Sequence, residues 1–402
     1  MLKAVGMAAV MAAAVMVGDV RAEEVGVTDT TISIGSFAPL SGPRAPLSVY
    51  NRQIEAYFKW VNDLGGVKAG DGKTRKILFR LIDTGGQPAR ALAATRELVE
   101  SDRVFALLSP FGQNENLAVA DYLNARKVPH LFLNTAGQYW GANPAKLPWS
   151  IGFPPAAGTQ VGVGAAYIRQ VRPNAKIAIL HGNDEYGKEI IEALRRSIKD
   201  SGASIVAVET YEYNDTSVDS QVIKLAASGA DVFLNYAIGR PSLQALQKAH
   251  DLGWNPLRLV ETTAATAGLV KQLAPDVAEG VISTNYYKDP NLDEFKTDPA
   301  IVLYQQIMQK YYGPGFDPTT QPIGPAEGEL FVKIVEKLNP VTRDSIIKAA
   351  RALSDVELSY LLPGIRLNTS ATDGFPVDQM QVIVFGNGVF RRVGDIAQAS
   401  PL

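Results

Sequence analysis

Four residues near the middle of the chain carry side chains suited to chemistry. His181, Asp184, Glu185 and Tyr186 stand together in the segment IAILHGNDEYGKE, residues 177–189. A histidine beside carboxylates suits proton transfer or metal binding. The same residue types also suit a polar turn that holds a small molecule. Catalysis needs partners, and the sequence supplies few. The other two histidines are His130, inside the apolar run PHLFLN (129–134), and His250, near the end of a helical stretch. Both read as structural. No H-x-x-x-H pair is present, so no metal site is expected. The G-x-S-x-G elbow, the G-x-x-x-x-G-K-[ST] phosphate loop and a G-x-G-x-x-G after the first strand are also missing. VGVGAAY (161–167) reads as close packing on a helix. The chain has no cysteine, which excludes disulfides, thiolate metal sites and a cysteine nucleophile. Binding is favoured over catalysis, and a hydrolase using the same residues is the alternative.

The elements that position this segment alternate in type. TISIGSF (31–37), KILFRLID (76–83), VFALLS (104–109) and PHLFLN (129–134) read as strands. Helices read over 47–66, 88–101 and 114–126, the first stopped by Gly65-Gly66 and the second opened by proline. Residues 137–158, rich in Gly, Pro and aromatics, read as a loop that crosses between domains. The alternation then restarts. Strands are expected at 176–180, 204–210, 231–236 and 257–261, and helices at 159–171, 186–201, 217–228, 241–252 and 266–274. A strand over 279–290 leads to a second crossing and to helices at 296–312, 325–338 and 342–353. MQVIVF (380–385), Asn387-Gly388 and VFRRV (389–393) form a closing hairpin. Repeated β-α-β units imply parallel sheets covered by helices on both faces. The predicted fold class is therefore α/β with two Rossmann-like lobes.

The 402 residues exceed one ordinary core, in keeping with two domains. Lys3, the apolar stretch 4–18 and Val20-Arg21-Ala22 describe a secretory signal peptide over residues 1–22, cut before Glu23. Its apolar run is shorter than the roughly 20 residues of a spanning helix. A net charge of −2 with dispersed Lys and Arg leaves no footprint for nucleic acid. The mature protein is expected in the periplasm, as a monomer, without lipid anchor, cofactor or metal.

Ligands of such sheets bind beyond the carboxyl ends of the strands. There the turns are APLSGPRAPLS (38–48), SPFGQNE (109–115), NTAGQYW (134–140), HGNDEYGK (181–188), NYAIGRP (235–241) and ETTAAT (261–266). They share small residues, hydroxyls, amides and tyrosines. Helix N-termini favour a carboxylate, and tyrosines supply apolar walls with a polar tip. This is an inventory for holding a small organic acid.

APLSGP, VNDLGGV, LIDTGGQPARALAATRELV and IAILHGNDEYGKE together resemble the leucine/isoleucine/valine-binding proteins, the periplasmic receptors of ABC importers with the type I binding fold. The resemblance covers the whole mature chain. It implies two α/β lobes joined by three crossovers, closing around one ligand and delivering it to an inner-membrane permease. Lobe 1 would be 23–150 plus 284–378, and lobe 2 would be 151–283 plus 379–402. It also implies site residues, turn by turn. The third turn gives Gln113 and Asn114, without the family's usual serine. The fourth gives Thr135, Ala136 and Gly137. The second lobe keeps its tyrosine as Tyr186. The family's next tyrosine falls at Ile238, with Tyr236 nearby, and its first-turn tyrosine falls near Leu47. The acidic partner of the ligand's ammonium falls at Glu261 or Thr262. Tyr139, Trp140, Phe111 and Tyr286 are candidate walls, and Arg44 a candidate partner for a carboxylate. If Glu261 faces the cleft, a branched-chain or related amino acid is expected. If Thr262 does, an aromatic or aliphatic carboxylate without an amino group is the alternative. A sensory binding module is a third reading, and it would ordinarily be tethered to a membrane span.

Overall fold

The computed structural model describes residues 24–142 and 144–401. The signal peptide read into residues 1–22 lies outside them. Two sheets organise the chain. The first contains β1 (Thr31–Ala38), β2 (Val67–Lys68), β3 (Thr74–Asp83), β4 (Ala106–Leu108), β5 (His130–Leu133) and β6 (Ser150–Gly152), in the order β2-β3-β1-β4-β5-β6. The second contains β7 (Lys176–Gly182), β8 (Ser204–Tyr211), β9 (Val232–Tyr236), β10 (Leu257–Val260), β11 (Ile282–Asn285), β12 (Gln379–Gly386) and β13 (Val389–Gln398), in the order β13-β12-β11-β10-β9-β7-β8. Pairing is parallel apart from β2 on β3 and the β11-β12-β13 edge.

Burial explains the strand sequences. Side chains alternate across a strand. In the second sheet Ile177, Ile179, Val232 and Leu234 pack on one face, while Ala178, Leu180 and Phe233 pack on the other. Both faces are covered, so these strands read as unbroken apolar runs. β8, at the edge, alternates exposed and half-buried residues instead.

The chain crosses between the sheets three times. It leaves β6 for the helix Ala157–Val171, which covers the second sheet. It returns after β11 to the helices Pro299–Ile307, Ile323–Val335 and Arg343–Ala350. The first two of these pack on the helix Val49–Asp63 of the first lobe. It crosses back to reach β12. The lobe borders expected after 150 and after 283 fall inside β6 and β11.

Two local expectations are corrected. The single helix expected over 266–274 is replaced by a 3-10 turn, Thr262–Ala264, and two four-residue helices, Ala267–Val270 and Pro275–Ala278. The Glu261 side chain takes the Thr263 N–H, and Pro275 can only open a helix. The stretch 137–158 is not wholly irregular. It contains a short helix, Tyr139–Ala142, and β6, whose Ser150 pairs with His130. That pairing is tertiary and has no local signal.

Candidate functional site

The turns at the carboxyl ends of both sheets surround one cavity of about 770 Å³ of empty space, part of it open to solvent. The first lobe contributes Leu47, Gln113, Thr135 and Ala136 of the expected residues. The second contributes Tyr186, Ile238, Glu261 and Thr262. The candidate walls Phe111 and Tyr286 line it too, as does Arg44, the candidate partner for a carboxylate. Three expected residues do not. Asn114 is exposed, pointing away on the first turn of the helix Gln113–Ala125. Gly137 lies behind Gln113, so close that a Cβ there would come 2.2 Å from the Gln113 Oε1. Tyr236 is buried in β9 beneath the floor. Tyr139 and Trp140 also stand back, and the Trp140 indole N–H donates to Gln113 Oε1 at 2.9 Å.

The segment with the histidine proves to be a capped helix start. Asp184 Oδ1 accepts the Gly187 N–H at 2.8 Å, and Oδ2 accepts the Tyr213 hydroxyl at 3.0 Å. Glu185 is exposed and pairs with Lys188. The His181 ring contacts the Gly182 carbonyl through Nδ1 at 2.8 Å, and burial holds its pKa below the usual value. Glycine is required at 187, because a Cβ there would fall 2.0 Å from the Gly182 carbonyl and 2.4 Å from His181 Nδ1. This close approach brings Tyr186 over the cavity. His130 is enclosed between Asn116 Oδ1 at 2.8 Å and Ser150 Oγ at 3.2 Å, and burial lowers its pKa to about 3.

Glu261 is the distinctive group of the cavity. The residue is 3% exposed. Its Oε2 accepts the Thr263 N–H at 2.6 Å and the Thr263 hydroxyl. Its Oε1 meets the Tyr186 hydroxyl at a long 3.4 Å, and the Ala264 N–H also acts on the carboxyl. Burial pushes its pKa up, and none of the groups acting on it is a cation. One oxygen of this buried carboxylate is thus committed to the turn and the other has capacity to spare. Thr262, also in the wall, is occupied by Gln160 Oε1 at 3.2 Å and Thr284 Oγ1 at 3.1 Å.

A positive group stands elsewhere in the wall. Arg44 binds the buried Glu115 at 2.7 Å, and its guanidinium lies between the rings of Phe111 and Tyr213, 5.4 and 4.8 Å from their centroids. Phe111 belongs to the first lobe and Tyr213 to the second, so the arginine bridges them. Buried donors without a partner, Arg44 Nε and Asn134 Nδ2, belong to residues of this wall. The Thr135 hydroxyl donates to Gln113 Oε1 at 2.8 Å.

Sequence reasoning missed Tyr50, Asn134, Gln160, Tyr213 and Ile323 as wall residues. Tyr50 lies one helical turn beyond Leu47, and Tyr213 follows β8, so both lie just past turns at strand ends. Ile323 comes from a helix remote in sequence and carries no local signal.

Comparisons with known proteins agree with this architecture. Residues 31–388 match the family model described as periplasmic binding protein. The chain is 24% identical over 299 residues to a Brucella abortus protein named Leu/Ile/Val-binding protein homolog 7, over 70% of this chain and 71% of that one. Its fold is similar to a branched chain amino acid ABC transporter structure from Thermus thermophilus with bound valine. The TM-score is 0.80, with 17% identity and coverage of 92% and 97% of the two chains. It is also similar to a fatty acid ABC transporter substrate-binding protein from Thermomonospora curvata, with TM-score 0.77, 19% identity and coverage of 94% and 95%.

Proposed function

Since this chain belongs to the periplasmic binding protein family and has its two-lobed type I fold, we propose that it captures an amino acid for an ABC importer. The ligand's ammonium would meet Glu261 Oε1 and the Tyr186 hydroxyl. Its carboxylate would meet Gln113 Nε2, the spare donor of Asn134 and the Thr135 hydroxyl once it turns from Gln113 Oε1. An aliphatic side chain, of the branched-chain size, would lie against Leu47, Phe111, Ile238 and Tyr286.

The observation that carries this reading is Glu261. A buried carboxylate without a cation is costly, and an incoming ammonium offsets that cost. A ligand without an amino group would leave the carboxyl either charged without a partner or protonated. The two lobes would close by hinge motion, and the closed form would be what the permease engages. Residues 1–22 would direct export to the periplasm, where the protein would act as a monomer. The lobes would follow the proposed borders, 23–150 with 284–378 and 151–283 with 379–402, to within the two residues by which they cut β6 and β11.

A thermal-shift screen tests the assignment, because a ligand that binds only the folded chain raises its melting temperature. L-leucine, L-isoleucine and L-valine are expected to do so, and their 2-oxo acid analogues and fatty acids are not. Stabilisation by a fatty acid or aromatic acid, with none by any amino acid, would overturn the amino-acid reading. Turnover of esters, amides or glycosides would overturn the binding reading itself.

A further inference from the structure

Arg44, in the turn after β1, touches both lobes, and the two hold it differently. On the first lobe its Nη1 donates to Glu115 Oε1 at 2.7 Å, and its guanidinium lies 5.4 Å from the Phe111 ring centroid. Glu115 is buried at the start of the helix Gln113–Ala125. Gly112 leaves room for its carboxyl, since a Cβ there would fall 2.2 Å from Glu115 Oε2. On the second lobe the contact is a ring face. The Tyr213 centroid lies 4.8 Å from the guanidinium. That ring is held in place by its hydroxyl, which donates to Asp184 Oδ2 at 3.0 Å, and by Tyr211, edge-on at 5.6 Å. The guanidinium is therefore bonded to one lobe and only stacked on the other. Opening the cleft would part it from Tyr213 and leave its bond to Glu115 intact.

We propose that Arg44 is a positioning residue for ligand capture: stacked on Tyr213, it latches the two lobes together before a ligand arrives. This rests on the reading of the cavity as a ligand cleft closed by lobe motion.

The chemistry of the group suits this role. The ion pair with Glu115 answers the charge of Arg44 inside the first lobe, which leaves its flat faces as what it offers across the cleft. A guanidinium stacks on an aromatic face, whereas a lysine ammonium is a compact, strongly hydrated charge. The charge still matters where the lobes meet. Asp184 of the second lobe is near enough to act on Glu115 of the first. Closure thus brings two carboxylates toward each other, and a cation bonded to one and stacked on the tyrosine that holds the other offsets their repulsion. The side chain is largely withdrawn from water. A cation stacked in such a place should favour the closed form by roughly 3- to 30-fold.

Because the chain lacks cysteine, Asp121→Cys and Lys199→Cys provide one dye site on each lobe. Energy transfer is read in the ligand-free full chain. Tyr213→Leu removes the ring, while Tyr213→Phe keeps it and loses only the hydrogen bond to Asp184. Arg44→Met combined with Glu115→Gln removes the cation without stranding a buried carboxylate. Thermal melts and circular dichroism establish that each variant is folded. Tyr213→Leu and the Arg44–Glu115 variant should each lower the closed-to-open ratio roughly 3- to 30-fold. Tyr213→Phe should match the parent. All three substitutions together should cost no more than the larger of the two separate losses, because both remove one contact. Energy transfer in Tyr213→Leu equal to that of the parent overturns the latch. So does a loss in Tyr213→Phe as large as in Tyr213→Leu, and so do losses that simply add. An equimolar mixture of L-leucine, L-isoleucine and L-valine is then added. A mixture that leaves energy transfer and melting unchanged in every variant overturns the amino-acid reading, while the ligand-free comparison still judges Arg44.

Discussion

Replacing Glu261 by glutamine separates what this residue does for the ligand from what it does for the fold. Glutamine keeps the volume and an oxygen able to accept the Thr263 N–H, now at 2.6 Å. It removes only the charge. Without ligand, that charge is buried with no cation acting on it, and isolated buried charges destabilise. The variant should therefore melt at the same temperature as the parent or higher. With an α-ammonium bound, a charge-assisted hydrogen bond is lost, worth about 1.5–3 kcal/mol, and up to about 5 when a buried pair is broken. A loss of about 2–4 kcal/mol weakens affinity roughly 30- to 1,000-fold. The pH dependence has a definite sign. Burial raises the Glu261 pKa, so its contribution to ligand-free stability is present below the ordinary carboxylate value and is lost as pH rises through the raised one. Glutamine removes that slope. Isothermal titration with L-leucine and ligand-free melts from pH 5 to 9 make the comparison. Affinity within about threefold of the parent, or a ligand-free protein several degrees less stable, would refute the role given to Glu261.

Tyr186→Phe removes one hydroxyl and should weaken L-leucine binding by about 1 kcal/mol, roughly fivefold, with little change in melting. Tyr186→Ala is the wrong probe, since the ring is 8% exposed and its removal should cost about 3–5 kcal/mol of stability. His130 has its pKa lowered to about 3, so the unfolded chain binds its proton first and stability falls as pH drops below about 6.5. By pH 5 this amounts to about 2 kcal/mol. Denaturant melts at pH 7 and 5 should show the loss, and His130→Gln should shrink it; an undiminished slope would exclude His130 as its source.

Much of this protein is determined locally. Alternating apolar runs and helical periods foretold nearly every strand of both sheets, because parallel strands buried on both faces must be continuously apolar. The acidic residues of HGNDEYGKE were legible as a helix start, and Asp184 caps it through the Gly187 N–H. The turn positions at the strand ends were legible too, because that is where such sheets bind. Direction within a turn was not. Asn114 follows Gln113 by one residue and points to solvent, since neighbouring residues on a helix diverge by about 100°. Glu261 and Thr262 were a choice of one in the sequence, yet both reach the cavity, because the Thr263 N–H bends the chain into a 3-10 turn. Ile323 and the contact between Glu189 and Gln138 lie beyond any local reading. One comes from a helix that joins the first lobe after the second crossing. The other exists only where Gln138 of one lobe meets a helix of the other. Sequence spacing fixes which way a side chain faces along its own element. Which elements then converge is set by burying apolar faces far apart in the chain, and only the tertiary structure decides that.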